Sequence, residues 1–188
     1  DPHFVYALAK RGDAYAALDD YASSAKDIAL VIKLVPSSAK VNGPILAGHL
    51  YLSGQYEAAA AQYHAMAADP KTFGAPSFML NEYLATAHAG KDGSAQLARD
   101  EARLVDHKWP YPIFGFLLGR LPPLALLGTA ADEWQKCEAR YYIAEKNALD
   151  GKVDKANDQF KAIAKACPYP IESSWRSEYY ARRLEPQQ

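Results

Sequence analysis

The tetrapeptide Pro110-Tyr111-Pro112-Ile113 returns 58 residues later as Pro168-Tyr169-Pro170-Ile171, and the prolines restrict what can surround it. Proline fixes φ and has no backbone N–H, so it is expelled from helix interiors and central strands. It fits the first turn of a helix, where that N–H would have no partner in any case. Each copy therefore reads as punctuation: Pro110 and Pro168 close one helix, while Pro112 and Pro170 open the next. A boundary of this kind occurring twice points to a chain assembled from recurring helical units.

The longer patterned segments agree. Ala dominates them, and apolar residues recur at three- and four-residue spacing, as in Leu8-Gly12-Tyr15 and Ala59-Tyr63-Met66, the period of an amphipathic helix. The stretches YAALDDY, YLSGQY and ALDGKV fall between pairs of such segments and read as tight turns between antiparallel helices. The expected fold class is all-α, built from hairpins. With 188 residues, 49% of them hydrophobic and 23% charged, the chain has enough apolar material for a packed core and too little charge for wholesale disorder. A net charge of -1 and a pI near 6.6 leave no surplus to draw in nucleic acid or an anionic membrane. No apolar run approaches the ~20 residues that span a bilayer. The best candidate, Ile113–Leu118, is halted by Gly119-Arg120 and then Pro122-Pro123. The sequence opens at Asp1-Pro2 without a signal-peptide pattern, and so abruptly that upstream trimming is expected.

Self-similarity narrows the architecture. In a first unit the pattern falls on Leu8, Gly12, Tyr15, Tyr21, Ile28, Val31 and Pro36, with Ser24 in a slot for a small residue. In a second it falls on Leu46, Ala47, Leu50, Gly54, Tyr56, Ala59, Tyr63 and Met66, with Pro70 one residue early. In the last full unit it falls on Ile143, Ala144, Gly151, Val153, Ala156, Phe160, Ile163 and Pro168. A third unit is degenerate: its second helix fits through Ala98, Ala102, Val105 and Pro110, and its first, about 77–89, fits only if the turn AGKDGS is lengthened. With a period of about 34 residues, small residues at the helix crossings and Pro after the second helix, the chain resembles the tetratricopeptide repeat family. An ordinary helical bundle would not repeat turn, small residue and Pro at a fixed period.

The resemblance implies a right-handed superhelical solenoid of helix-turn-helix hairpins forming a single domain over 1–188. Its units would be 5–38, 40–74, 76–110, an irregular short hairpin 112–135, and 137–169. A capping helix at 170–185 would follow, with Trp175, Tyr179 and Tyr180 near one face. Asp1-Pro2 aligns with the Asp-Pro that closes a repeat, so an upstream repeat is expected to be missing. The last unit and its cap are also similar to bacterial periplasmic, lipoprotein-type adaptors of this family.

Chemistry-bearing patterns are few. There is no Gly-x-Ser-x-Gly, His-Glu-x-x-His or Cys-x-x-Cys, and GKDGS at 90–94 lacks both the Ser/Thr and the upstream Gly of a phosphate loop. His3, His49, His64, His88 and His107 have no Cys or carboxylate at metal-ligand spacing. Asp19-Asp20 and Asp100-Glu101 are sequence neighbours whose side chains diverge. The expectation is a non-enzyme with no metal and no cofactor.

The family resemblance implies instead a protein or peptide ligand held in a concave groove lined by first helices. By position the lining would be Tyr6, Ala9 and Asp13; Gly48, Tyr51 and Leu52; Asn81 and His88; and Tyr141, Glu145 and Ala148. The Lys and Asn that clamp acidic tails in one subfamily are replaced by Ala9, Asp13 and Gly48. A scaffold or adaptor is one functional expectation, and a non-catalytic domain cut from a larger enzyme is the other. The short hairpin suggests a further contact surface, because Phe114, Phe116 and Leu117 lie in an apolar stretch, 113–127, that a truncated hairpin would struggle to hide. That surface would serve self-association or a large partner. Cys137 and Cys167, the two cysteines, would fall at adjacent ends of the last hairpin and could bridge. A bridge favours a periplasmic location, reduced thiols a cytoplasmic one.

Overall fold

A computed structural model describes residues 2–167 of the chain. The second Pro-Tyr-Pro-Ile copy and the expected capping helix at 170–185 lie outside the described residues. Among those described, all regular structure is helical: α1 (Pro2–Ala17), α2 (Tyr21–Leu34), α3 (Ala39–Leu52), α4 (Tyr56–Ala67), α5 (Ala75–His88), α6 (Ser94–Ala102), α7 (Tyr111–Leu117), α8 (Pro123–Thr129), α9 (Glu133–Leu149) and α10 (Val153–Ala166). Expected as one domain, the chain divides into two compact units, Asp1–Gly93 and Ser94–Gln188.

One local geometry ends every odd-numbered helix. At Asp19, Gly54, Gly90, Gly119 and Gly151 the backbone turns left-handed, with φ of 59°, 77°, 76°, 74° and 75°. In each case that residue's N–H donates to the carbonyl three back, and the next N–H donates to the carbonyl five back, as in Gly54→Tyr51 and Gln55→Leu50 or Gly151→Ala148 and Lys152→Asn147. This pair of bonds satisfies carbonyls the helix end would otherwise strand, and it needs a residue at positive φ, for which glycine carries no Cβ penalty. The even-numbered helices end without it, α2 at Val35 before Pro36, α4 at a helical Ala68, and α8 and α10 at extended Ala130 and Cys167. The return of the left-handed turn at every second helix end is the backbone signature of successive hairpins.

In the first unit the helices pack in chain order, α1 on α2, α2 on α3, α3 on α4 and α4 on α5. Small residues sit where helices cross. A Cβ added to Gly12 on α1 would lie 3.3 Å from Ile28 Cδ1 on α2, and Ala47 and Ala59 have no exposed surface. Ser24 fills its small-residue slot with a further task, its hydroxyl donating to the Gly12 carbonyl across the crossing at 2.7 Å. Ala25, Ile28 and Leu46, with Ile32 and Leu50 against them, form one core cluster of this unit. The entry to α2 is fixed by Asp20, whose side chain accepts from the Ser23 N–H at 3.0 Å, the N-cap arrangement that satisfies a stranded helical donor.

In the second unit α7 packs against α6, α8 and α9, and α9 packs against α10. Ala139, Ala144 and Ala156 are fully buried, as are Ile113, Phe114 and Leu126. Three expectations need correction here. The second helix of the degenerate third unit stops at Ala102, so Pro110 does not close it. Arg103 and Leu104 tighten the chain into i→i+3 bonds to Asp100 and Glu101, Val105 is 96% exposed, and Pro110 instead precedes α7, with Pro112 in its first turn as expected. The short hairpin is α7 and α8, each of seven residues, and 133–135 belong to α9 rather than to it. Finally, Phe114, Phe116 and Leu117 are 0%, 5% and 3% exposed. A seven-residue helix with neighbours on three elements hides both faces, so the expected contact surface at these residues does not exist.

Candidate functional site

Within the first unit, the expected groove residues divide by burial. Tyr6 is 65% exposed, and Asp13 is exposed with Ala9 half-buried beside it. Tyr6, Lys10 and Asp13 recur at i, i+4 and i+7 and so share a face of α1. The Lys10 ammonium lies 5.8 Å from the Tyr6 ring centroid and 3.0 Å from Asp13 Oδ2. The ion pair and the cation–π contact order this stripe while leaving its ring open to solvent.

The α3 and α5 candidates are placed otherwise. Gly48 and Leu52 are buried, and Tyr51 has no exposed surface. Tyr51 meets the rings of Tyr56 and His88 edge-on at 5.5 and 5.6 Å, while His88 stacks on Tyr56 at 5.1 Å. Tyr51 and His88 are thus brought together, but around Tyr56, a repeat-pattern residue not counted among the groove candidates. Asn81 is 3% exposed. Next to it in α5, Glu82 accepts from or pairs with His64 Nδ1 at 3.0 Å, joining α4 to α5.

Within the second unit, Tyr141 and Glu145 are 2% and 1% exposed. The Tyr141 hydroxyl donates to Glu145 Oε1 at 2.6 Å, and the ring packs against Tyr142 and Phe160. These two serve the α9–α10 core, with Ala148 half-buried one turn on. Cys137 and Cys167 form a disulfide, their Cα atoms 5.8 Å apart, tying the second turn of α9 to the end of α10.

Two polar constellations had no sequence signal beyond residue type. Arg11 of α1 makes a bidentate pair with Asp27 of α2. His49 Nδ1 lies 3.0 Å from Ser24 Oγ, a spacing that would suit a nucleophile and its base. Ser24, however, is fully buried and its hydroxyl hydrogen is directed at the Gly12 carbonyl. Its oxygen therefore accepts from a protonated Nδ1 rather than donating to it, which is the wrong direction for activation. Among the described residues no group of three His, Cys, Asp or Glu could hold a metal ion, and no helix is long and apolar enough to cross a membrane.

The surface these observations leave open to a ligand in the first unit is the α1 stripe of Tyr6, Lys10 and Asp13. Compared with protein-family models, curated proteins and solved structures, the chain matches none of them.

Proposed function

We propose that this chain is a tetratricopeptide-like repeat protein that binds a protein or peptide ligand and acts as a scaffold or adaptor. The observation that carries the reading is the alternation of helix endings, with the same left-handed turn closing α1, α3, α5, α7 and α9. It is accompanied by the small residues Gly12, Ala47, Ala59, Ala144 and Ala156 at crossings. Arrays of such hairpins bury their apolar faces on one another and leave first-helix side chains for recognition. Tyr6 supplies a large, rigid contact area at low entropic cost, and Lys10 and Asp13 supply polar specificity. The Cys137–Cys167 bridge supports placement in an oxidising compartment, because reducing compartments keep such thiols apart.

The test is affinity capture from source lysate with the intact chain, followed by direct titration of each captured protein. The pair Tyr6→Ala and Asp13→Ala should weaken a genuine ligand at least ten-fold with circular dichroism unchanged, since both side chains are exposed. A captured partner indifferent to both substitutions would count against the α1 stripe as the recognition surface.

A further inference from the structure

The first unit carries a second surface, which shares no residue with the α1 stripe. Because α2, α3, α4 and α5 pack in chain order as successive hairpins, the α2–α3 connection (35–38) and the α4–α5 connection (68–74) lie at one end of the unit. The turns at Asp19, Gly54 and Gly90 lie at the other. At the first end a lysine stands beside a large apolar side chain three times over: Lys33-Leu34 closing α2, Lys40-Val41 in the first turn of α3, and Lys71-Thr72-Phe73 before α5. Leu34, Val41 and Phe73 are 46%, 70% and 99% exposed, whereas the opposite end exposes Leu18 alone among the large apolar residues described.

The charges divide the same way. Among the described residues, Lys33, Lys40 and Lys71 share their end with one carboxylate, Asp69, and make no ion pair, while Lys10, Arg11 and Lys91 elsewhere in the unit are all paired. Asp19, Asp20, Glu57 and Asp92 gather around Lys91 at the other end. A net charge of -1 thus conceals a basic apolar end and an acidic one. Asp69 is committed to its own loop, where Oδ1 accepts from the Lys71 N–H at 2.9 Å and the carbonyl from the Thr72 N–H at 3.0 Å. With the Ala75 N–H donating to the Thr72 carbonyl at 2.9 Å, the loop is ordered by its own bonds, and Phe73 is held out to solvent before any partner arrives.

Apolar side chains interleaved with unpaired cations match the boundary of an anionic bilayer, where rings and aliphatic groups enter beside the acyl chains and ammonium groups meet phosphates. Leu34, Val41 and Phe73 project from three separate backbone positions rather than lining one cavity, and a fluid lipid surface accepts each by itself. A nucleic acid would engage the lysines but leave Leu34 and Val41 in water. We infer that this end of the first unit docks on an anionic lipid surface without spanning it, with Leu34, Val41 and Phe73 inserted and Lys33, Lys40 and Lys71 on lipid phosphates.

The experiment sediments the intact chain with large unilamellar vesicles of phosphatidylcholine alone or mixed with phosphatidylglycerol, at low and at high salt. The anionic vesicles should bind at least ten-fold more tightly than the neutral ones, and salt should close the gap. Phe73→Ser should weaken binding at least ten-fold. Combined Lys33→Gln, Lys40→Gln and Lys71→Gln should remove the preference for anionic vesicles, at about five-fold per lysine. Circular dichroism should be unchanged in both, since all four side chains are exposed. Leu18→Ser, at the acidic end, should bind as wild type does. Equal binding to both vesicles, no binding to either, undiminished binding by Phe73→Ser or by the triple variant, or an equal loss in Leu18→Ser would each overturn the proposal. So would a Phe73→Ser variant that keeps its vesicles and loses a captured protein, which would mark this end as a protein interface.

Discussion

Arg11 holds Asp27 with two hydrogen bonds, Nε to Oδ2 and Nη2 to Oδ1, both 2.7 Å, across the turn joining α1 to α2. The carboxylate is 5% exposed, while the Arg11 side chain is 58% exposed. The pair thus stands between a surface ion pair and a buried one. The hydrogen bonds from Arg11, opposed by burial and aided by its charge, hold the Asp27 carboxyl below its ordinary pKa. Arg11→Met removes the fork and leaves the Asp27 carboxylate without its partner, which should destabilise the protein at neutral pH, by more than loss of an ordinary surface pair.

The pH dependence has a definite sign. A depressed carboxyl pKa adds stability that is fully present above the unfolded value, about 3.9, and is lost as pH falls from there through the folded pKa. The wild type should therefore lose stability below about pH 4 more steeply than Arg11→Met, so that the gap between them narrows in acid. Urea denaturation of both proteins at pH 7 and pH 3 checks this. A gap of the same size at both pH values would mean that Arg11 contributes through its packed stem and not its charge.

The helix-ending turn gives a paired prediction of opposite signs. Asp19 is the one non-glycine at positive φ among the described residues, at 59°. Asp19→Gly should relieve backbone strain and stabilise by about 0.5–1 kcal/mol, less whatever its hydrogen bond from the Tyr21 hydroxyl contributes. A Cβ at Gly54 would meet nothing within 4 Å, so Gly54→Ala isolates the conformational cost and should destabilise by about 1 kcal/mol. Thermal unfolding of both variants decides it. A neutral Gly54→Ala would show that the turn relaxes to negative φ at no cost.

Hairpins are legible in the sequence because their determinants are local: a three-and-four-residue apolar period, a Gly or Asp at each turn, a small residue at each crossing. The same locality makes Cys137 and Cys167 readable as neighbours once they are placed at adjacent ends of one hairpin. What escapes depends on how the helices pack. Tyr51 and Tyr141 look like free groove aromatics from position alone, yet Tyr51 is enclosed by Tyr56 of α4 and His88 of α5, and Tyr141 by Phe160 of α10 and by Tyr142 and Glu145 of its own helix. The place of Pro110 is hidden for a different reason. No Gly or Pro between Ala102 and Trp109 announces the end of α6, which comes from i→i+3 tightening at Arg103 and Leu104.

Burial of the apolar stretch in α7 can be tested directly. Phe116→Asp places a charge at a site 5% exposed, and Leu117→Asp at one 3% exposed. Both should unfold the second unit. The milder Phe116→Ala should remain folded and lose about 3–4 kcal/mol, the cost of an emptied aromatic site. Wild type should keep a constant mass by light scattering across a concentration series, as expected of side chains that make no contact between copies. A folded Phe116→Asp with reduced self-association would restore the surface that the burial of Phe114, Phe116 and Leu117 removes.

The disulfide makes the last prediction, and its magnitude follows from chain entropy rather than from contacts. Cys137 and Cys167 are separated by 30 residues, a loop that spans the whole α9–α10 hairpin. Closing it in the unfolded chain should contribute roughly 3.5 kcal/mol in the loop-entropy account. That is large for a single hairpin, even one whose core includes Tyr141, Ala144, Ala156, Phe160 and Ile163. Both sulfurs belong to buried residues, at 1% and 8% exposure, so the paired substitution must avoid leaving polar groups in their place. Cys137→Ala with Cys167→Ala does this and should lower stability by about 3–4 kcal/mol, with little change in helical content at low temperature. Alkylation of unreduced, denatured protein followed by mass determination provides the independent check. It should show no modified thiol in the wild type, whereas two modified thiols, or a double variant as stable as wild type, would mean that the bridge is not what holds α9 to α10.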